Sequence, residues 1–117
     1  MITGKFPSLR LRRSRKRDWS RRLIQENNLT PNDFILPIFI IDGKNKKQPI
    51  KSMPDVYRYT LDKLTFVVDK AIKKKLPMVA LFPHTEIRKK NSLGSEALNE
   101  DNLVCRAIQL IKKKFKN

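Results

Sequence analysis

Two stretches of the chain are apolar at nearly every position, and polar segments separate them. They are residues 34–41 (FILPIFII) and 78–82 (MVALF). Strands that are apolar on both faces are typical of parallel sheets covered by helices, whereas half-exposed strands alternate apolar and polar residues. The pattern therefore predicts two buried strands of a parallel sheet.

Each predicted strand is followed by a segment with the spacing of an amphipathic helix. Thr60 is the predicted cap of the first helix, which ends near Lys75. Its apolar stripe comprises Leu61, Leu64, Val67, Val68, Ala71 and Ile72. Asn99 is the predicted cap of the last helix, with a stripe of Val104, Ala107, Ile108 and Ile111. Strands that alternate with helices predict an α/β fold with right-handed crossovers.

The N-terminal residues lack a long apolar pattern and predict an extended arm. Ser14 is the predicted cap of a short helix over residues 15–26, which ends at Asn27 or Asn28. The segment Thr30-Pro31-Asn32-Asp33 has the sequence of a capping box. We therefore divide the chain into a basic arm with a short helix, residues 1–33, and an α/β part, residues 34–117.

The α/β part is expected to be incomplete. Two strands are too few for a stable parallel sheet, because both edges would expose unpaired backbone groups. Residues 44–48 predict a polar loop, and residues 83–98 predict a second, longer one.

The formal net charge of +16, from 27 Lys and Arg against 11 Asp and Glu, raises the hypothesis of nucleic-acid binding. The distribution of the charge weakens this hypothesis. Outside the arm the basic residues cluster at 73–75 and 112–116, at predicted helix ends, where cations stabilise the helix dipole. The chain also lacks a strand face with interleaved aromatic residues. A small basic nucleic-acid-binding protein is kept as the alternative function.

Several protein classes are disfavoured by the composition. No apolar run approaches the roughly 18 residues of a membrane-spanning helix. The basic N-terminus is not followed by the apolar core of a secretory signal. The one cysteine, Cys105, excludes an internal disulfide and fits a reducing compartment. We expect a cytoplasmic protein with no membrane partner.

Four collinear stretches within residues 8–115 resemble a known family. They are SLRLRRSRKRDWSRRLIQEN, LTPNDFILPIFI, PIKSMPDVYRYTLDKL, and VALFP followed by GSEALNEDNLVCRAIQLIK. In this order they resemble the amino-terminal arm and first barrel units of the porphobilinogen synthase (5-aminolevulinate dehydratase) family. The chain departs from the family at Asp55, where glycine is common, and at Lys89 and Lys90, in a loop that is often more acidic.

The resemblance implies a (β/α)8 barrel with an N-terminal arm, of which this chain supplies the arm and the first two β/α units, an incomplete barrel. It implies a hydro-lyase of haem and porphyrin biosynthesis that condenses two 5-aminolevulinate molecules into porphobilinogen. The family uses two Schiff-base lysines, often with zinc or magnesium. These elements come later in the family's sequence, so the resemblance assigns no catalytic, cofactor-binding or metal-ligating residue here. We expect this chain to be inactive alone and to bind no cofactor.

The resemblance also implies a homo-oligomer, typically an octamer, built through the arm. Arg10, Arg12 and Arg13 match the family's basic arm motif, and Trp19 is the candidate interface anchor, since large aromatics dominate interface energetics. This contact is favoured over non-specific polyanion binding by the arm. The chain is interpreted either as a degenerate remnant or as one part that assembles with a separately encoded C-terminal remainder.

The remaining candidate residues have ordinary structural interpretations. His84 follows a strand end, where barrel enzymes hold functional groups, but lacks a metal-ligand partner, so a loop histidine is favoured. Cys105 is predicted to be a buried or half-buried thiol. Lysines 73–75 and 112–114 are predicted to be solvated rather than Schiff-base amines, which need burial or a neighbouring cation. Gly94-Ser95-Glu96 lacks the repeated glycines and the lysine of a phosphate loop.

Overall fold

The computed structural model describes residues 4–10 and 12–115. Within these residues it contains four strands, β1 (Ile35–Ile40), β2 (Lys47–Pro49), β3 (Tyr57–Tyr59) and β4 (Met78–Pro83). It contains three α-helices, α1 (Asp18–Leu23), α2 (Leu61–Lys73) and α3 (Leu103–Lys114). Short 3-10 turns lie at Arg13–Arg15, Pro31–Asp33, Ile87–Lys89 and Ser95–Leu98.

The four strands form one sheet in the order β2-β3-β1-β4. Strands β1 and β4 run parallel, with Ile35 opposite Met78 at one end and Ile40 opposite Pro83 at the other. The α/β fold class and the two predicted parallel strands are therefore confirmed. The sheet also contains β2 and β3, an antiparallel pair that the sequence does not predict, because three-residue strands carry no readable alternation. Strand β2 begins inside the predicted polar loop of residues 44–48.

The core lies between one face of the sheet and helices α2 and α3. Its buried residues are Ile38, Ile40, Leu64, Val68, Leu103 and Ala107. The predicted stripes are correct at Leu64, Val68, Ala71 and Ala107, all of which are buried. They are wrong at Ile72 and Ile108, which are 50% and 41% exposed and do not pack against the core cluster. No helix in residues 4–10 and 12–115 is long and apolar enough to cross a membrane.

The predicted helix caps at Asn99 and Ser14 are wrong, whereas Thr60 lies at the predicted cap position. Asn102, not Asn99, caps α3, since its Oδ1 accepts a hydrogen bond from the Cys105 amide at 2.9 Å. Thr60 occupies the N-cap position of α2, but its hydroxyl donates to the Lys46 carbonyl at 3.2 Å instead of capping the helix. Ser14 lies inside a 3-10 turn and caps nothing.

Helix α1 is shorter than the predicted helix over residues 15–26. It begins at Asp18 and ends at Leu23, so Asn27 and Asn28 do not terminate it. The positive end of a helix dipole disfavours cations, and residues 15–17 are all basic. Asp18, at the first helical position, suits that end and also pairs with Arg22 at 3.1 Å. The charge pattern thus explains why the helix starts late.

The predicted capping box at Thr30 is confirmed. The amide of Thr30 donates to Asp33 Oδ2 at 2.6 Å, and its hydroxyl donates to the same oxygen at 2.9 Å. Both hydrogen bonds hold the pKa of Asp33 below its ordinary value, and the bond from the Thr30 amide has the larger effect. The interaction therefore stabilises the turn at neutral pH and is lost as the pH falls through the lowered pKa. The box fixes the chain where it enters β1.

Asp55 lies in a turn conformation that favours glycine. The Val56 amide donates to the Met53 carbonyl at 3.1 Å, and Pro54 and Asp55 form the centre of this turn. Asp55 has a φ of 62°, which is typical of the third position of a type II turn. An aspartate in place of the family's common glycine therefore puts strain on this turn.

We predict that Asp55→Gly raises the free energy of unfolding by about 0.5 kcal/mol, because relief of the left-handed strain exceeds the added entropy of the unfolded chain. Asp55→Val is the matched control and should lower it by about 1 kcal/mol or more, since a β-branched residue fits this region worst. Urea denaturation followed by circular dichroism measures both. Equal stability of the two variants would contradict the strain.

Candidate functional site

The carboxyl ends of β1 and β4 form one rim of the sheet. The strands end side by side at Ile40 and Pro83, and the amide of His84 donates to the Ile40 carbonyl at 2.8 Å, which extends the pairing by one residue. The residues that follow, Asp42 after β1 and His84 after β4, therefore emerge next to each other. In parallel α/β folds this edge of the sheet carries the functional groups.

A cleft of about 260 Å³ opens at this rim. It lies between the turn after β1, the first turn of α3 and the segment of residues 84–101, which we call the rim loop. Its lining combines charged and apolar side chains, among them Asp42, His84, Lys89, Glu96 and Val104. The cleft is open to solvent and is part of a surface rather than an enclosed cavity.

Four charged side chains from different segments meet beside the cleft. Arg106 of α3 places its Nη2 atom 2.6 Å from Asp42 Oδ1. The Nζ atom of Lys89 lies 3.4 Å from Glu96 Oε1 and 3.9 Å from Asp42 Oδ2. All four side chains are partly buried. We call Asp42, Lys89, Glu96 and Arg106 the rim charge cluster.

The face of the sheet opposite α2 and α3 is apolar. Ile35, Pro37 and Phe39 of β1 lie on it beside their partners Met78, Ala80 and Phe82 of β4. The rings of Phe39 and Phe82 are 5.5 Å apart at the end nearest the rim. Phe82 is 48% exposed and Met78 is 57% exposed, so this face is not covered by other described residues. The rim therefore has an aromatic pair on one side and the charge cluster on the other.

His84 stands at the mouth of the cleft and is exposed. Its imidazole takes no part in the ion pairs at the rim. Among residues 4–10 and 12–115 no group of three His, Cys, Asp or Glu side chains could hold a metal ion. The favoured interpretation of His84 as a loop histidine stays a prediction. Its contact with a substrate or proton stays an open prediction.

The other single-residue predictions agree with the structure in exposure. Cys105 is a free, half-buried thiol. Lysines 73–75 and 112–114 are exposed. The amide and hydroxyl of Ser95, in the Gly94–Glu96 segment, both bond to the Asn91 side chain, at 3.1 and 2.5 Å, so local contacts occupy both groups.

The structure places the candidate interface residues on an exposed arm. Arg10 lies with its guanidinium carbon 5.4 Å from the centre of the Phe6 ring, and Arg13 begins a 3-10 turn after Arg12. Trp19 on α1 is 59% exposed. The described part of the chain measures 72 × 36 × 25 Å, so it is elongated. The arm residues form a group separate from the rim.

The sequence alone did not identify the rim charge cluster. In the sequence, Lys89 stands out only as a departure from the family and Glu96 only within the Gly94-Ser95-Glu96 segment, and no role is assigned to Asp42 or Arg106. Asp42 does carry a usable signal, since it is an acidic residue directly after a buried strand. The partner Arg106 lies 64 positions further along the chain and has no such signal.

Residues 8–117 match the sequence model of the delta-aminolevulinic acid dehydratase family. Two curated relatives with that name are those of Bradyrhizobium diazoefficiens, 46% identical over 108 residues, and Chlamydia pneumoniae, 38% identical over 108 residues. Each alignment covers 92% of this chain and 31% or 32% of the relative. The chain thus spans about a third of the length of the curated relatives that it matches.

A solved structure gives the same result. The crystal structure of delta-aminolevulinic acid dehydratase (porphobilinogen synthase) from Toxoplasma gondii ME49, in complex with the reaction product porphobilinogen, superposes with a TM-score of 0.83. The sequence identity is 34%, and the match covers 92% of this chain and 30% of that one. These likenesses confirm the family resemblance and fit an incomplete barrel. They give no support to the nucleic-acid-binding alternative.

Proposed function

Since this chain belongs to the delta-aminolevulinic acid dehydratase family, we propose that it supplies the arm and the first two β/α units of a porphobilinogen synthase. The reaction is the condensation of two 5-aminolevulinate molecules into porphobilinogen with loss of water, which makes the complete enzyme a hydro-lyase. The observation that carries this proposal is the superposition, at a TM-score of 0.83, on a family structure solved with porphobilinogen.

This chain would contribute part of the barrel wall and part of the rim at the carboxyl ends of the barrel strands. Strands β1 and β4 would be neighbouring barrel strands, with α2 and α3 on the outside and the Phe39–Phe82 face turned inward. In such barrels the inward residues near the carboxyl ends lie below the reacting molecules. The Phe39–Phe82 pair would therefore give the substrate site an apolar floor that excludes water.

The Schiff-base lysines are proposed to come from the part of the family's sequence that this chain does not match. A Schiff-base lysine needs a neutral amine, which burial or a neighbouring cation favours. Lysines 73–75 and 112–114 are exposed, and Lys89 is paired with carboxylates. We therefore propose that the chain alone does not form porphobilinogen.

A metal ion is also proposed to bind outside the described residues. The family's zinc or magnesium needs several closely spaced ligands, and no group of three suitable side chains occurs within residues 4–10 and 12–115. The described residues therefore do not fit such a site, and no step of the reaction is assigned to a metal here. We place the reaction in the cytoplasm, which a single free cysteine fits.

The arm is proposed to join copies of the complete enzyme into an oligomer. Its exposed Trp19 and the arginines at positions 10, 12 and 13 would contact a neighbouring barrel. A large aromatic side chain that is exposed in one copy gains most when a partner covers it. The arm would thereby build a homo-oligomer, typically an octamer in this family.

The proposal is tested with a fusion in which residues 1–117 are joined to the part of the Bradyrhizobium relative that follows the matched region. We call this protein the fusion. It should convert 5-aminolevulinate into porphobilinogen, measured by the colour reaction of the pyrrole. The 117-residue chain alone should give no product above background.

Two controls make this result specific. The relative's remainder without residues 1–117 should be inactive, because its barrel lacks the same wall. Mixing the chain with the separate remainder tests assembly in trans, as for a separately encoded partner. A soluble, folded fusion without activity would contradict the proposed function, and product from the chain alone would contradict its inactivity.

A further inference from the structure

The rim loop is long, and its apolar residues do not anchor it. Residues 84–101 connect β4 to α3 with only two short 3-10 turns. The large apolar side chains of Ile87, Leu93 and Leu98 are 87%, 87% and 83% exposed. Loops of this length in compact domains are commonly functional. Because apolar burial contributes little here, polar contacts must hold the loop in place.

The two ends of the rim loop are held by hydrogen bonds to backbone carbonyl groups. At its start the His84 amide continues the sheet by its bond to Ile40. At its end Arg106 Nε donates to the Asp101 carbonyl at 3.0 Å, and Asn102 Nδ2 donates to the Glu96 carbonyl at 3.4 Å. The backbone hydrogen bonds between these points are local turns, such as Lys90 to Ile87 and Ala97 to Gly94. Such turns shape the loop without attaching its middle to the sheet.

Lys89 provides the missing attachment. Within residues 4–10 and 12–115, it is the one rim-loop side chain that has a hydrogen-bond or ion-pair partner outside the loop. That partner is Asp42, after β1. It also reaches across the loop to Glu96 at 3.4 Å. Asp42 is itself held by Arg106 at 2.6 Å, so the lysine is tied to a fixed carboxylate.

The rim charge cluster differs from the other ion pairs of the described residues. Those other pairs join residues two to four positions apart on one element, as in Asp69 with Lys73 and Asp18 with Arg22. Such exposed local pairs contribute little to stability. The cluster instead links the turn after β1, the rim loop and α3, where the side chains are only 24–39% exposed. It is therefore placed to decide where the loop lies.

We infer that Lys89 is a positioning residue that tethers the rim loop over the carboxyl ends of β1 and β4. The tether keeps the loop in the arrangement that forms the cleft beside His84. A substrate that binds only to the tethered form has an apparent affinity reduced by the fraction of molecules in which the loop is released. For the reaction, this inference rests on the proposed function: loss of the tether should raise KM and leave kcat nearly unchanged.

The first test measures loop opening without any activity. In Lys89→Met, amide hydrogen exchange of peptides from residues 85–98 should be about two- to fivefold faster than in the parent, in the full chain and in the fusion. Peptides from β1 and α2 should be unchanged. Lys89→Arg, which keeps the charge, should restore slow exchange. The matched control is Lys90→Met, which removes a neighbouring exposed lysine outside the ion pairs.

The second test is kinetic and uses the fusion. Lys89→Met should raise KM for 5-aminolevulinate by about 1.5- to 2.5-fold, a smaller factor than the rise in exchange because the parent loop is mostly tethered, with kcat unchanged, and Lys90→Met should change neither. Equal exchange of the loop in Lys89→Met and Lys90→Met overturns the tether, as does a loss confined to kcat. If the fusion makes no porphobilinogen, the proposed function fails, whereas the exchange experiment still decides the tether.

Discussion

Leu64→Ala should lower the free energy of unfolding of the fusion by about 2–5 kcal/mol, the usual cost of removing a fully buried leucine. Leu64 has no exposed surface and packs in the cluster formed by Ile38, Ile40, Val68 and the first residues of α3. The alanine leaves a cavity that the surrounding strands and helices cannot fill without moving. The loss is measured by urea denaturation followed at 222 nm by circular dichroism.

The matched control lies on the same helix. Ile72 belongs to the same apolar stripe in the sequence, but the structure leaves it 50% exposed. Ile72→Ala should cost no more than about 0.5–1 kcal/mol, because half of its surface stays in water in the parent. A cost for Ile72→Ala equal to that for Leu64→Ala would mean that α2 is rotated relative to the sheet described above.

Trp19→Ala should weaken the association of the fusion by about 2 kcal/mol, roughly 30-fold, because tryptophan is the residue type most enriched at interface hot spots. The indole is 59% exposed in the single chain, so its apolar surface is available to a neighbouring copy. Sedimentation velocity over a range of protein concentrations should show the large oligomer dissociating at higher concentration in the variant. This expectation rests on the proposed role of the arm.

The control for Trp19 is an equally exposed aromatic residue outside the arm. Phe66 on α2 is 62% exposed, and Lys70 covers one face of its ring at 4.5 Å. Phe66→Ala should leave the sedimentation profile unchanged. If both variants dissociate alike, exposed aromatic surface in general holds the oligomer together, and if neither does, the arm is not the interface.

Much of the fold could be predicted because its determinants are local. The runs FILPIFII and MVALF predicted β1 and β4 to within one or two residues, since an apolar run between turn signals has few alternatives. The capping box at Thr30 was correct for the same reason, because all its groups lie within four residues. The caps at Ser14 and Asn99 were wrong, since a suitable residue type does not determine where a helix starts.

The candidate site was predictable only in part. His84 and Asp42 follow strand ends, and the parallel order of the strands brings such residues to one edge. The pairing of Asp42 with Arg106 depends on how α3 lies across the sheet, which no local pattern specifies. Lys89 was visible in the sequence only as a residue unusual for its loop, and its partners gave that observation a physical meaning.

The sequence by itself determined the α/β order and the positions of the two long strands, because apolar periodicity and turn residues act over a few neighbouring positions. The family followed from the sequence in another way, by the resemblance of its four collinear stretches. Tertiary structure alone decided which stripe residues of the helices stay exposed, that β2 and β3 join the sheet, and that four charged residues meet at the rim. Those features depend on contacts between segments far apart in the chain, whose free energy is gained only when the strands and helices have packed together.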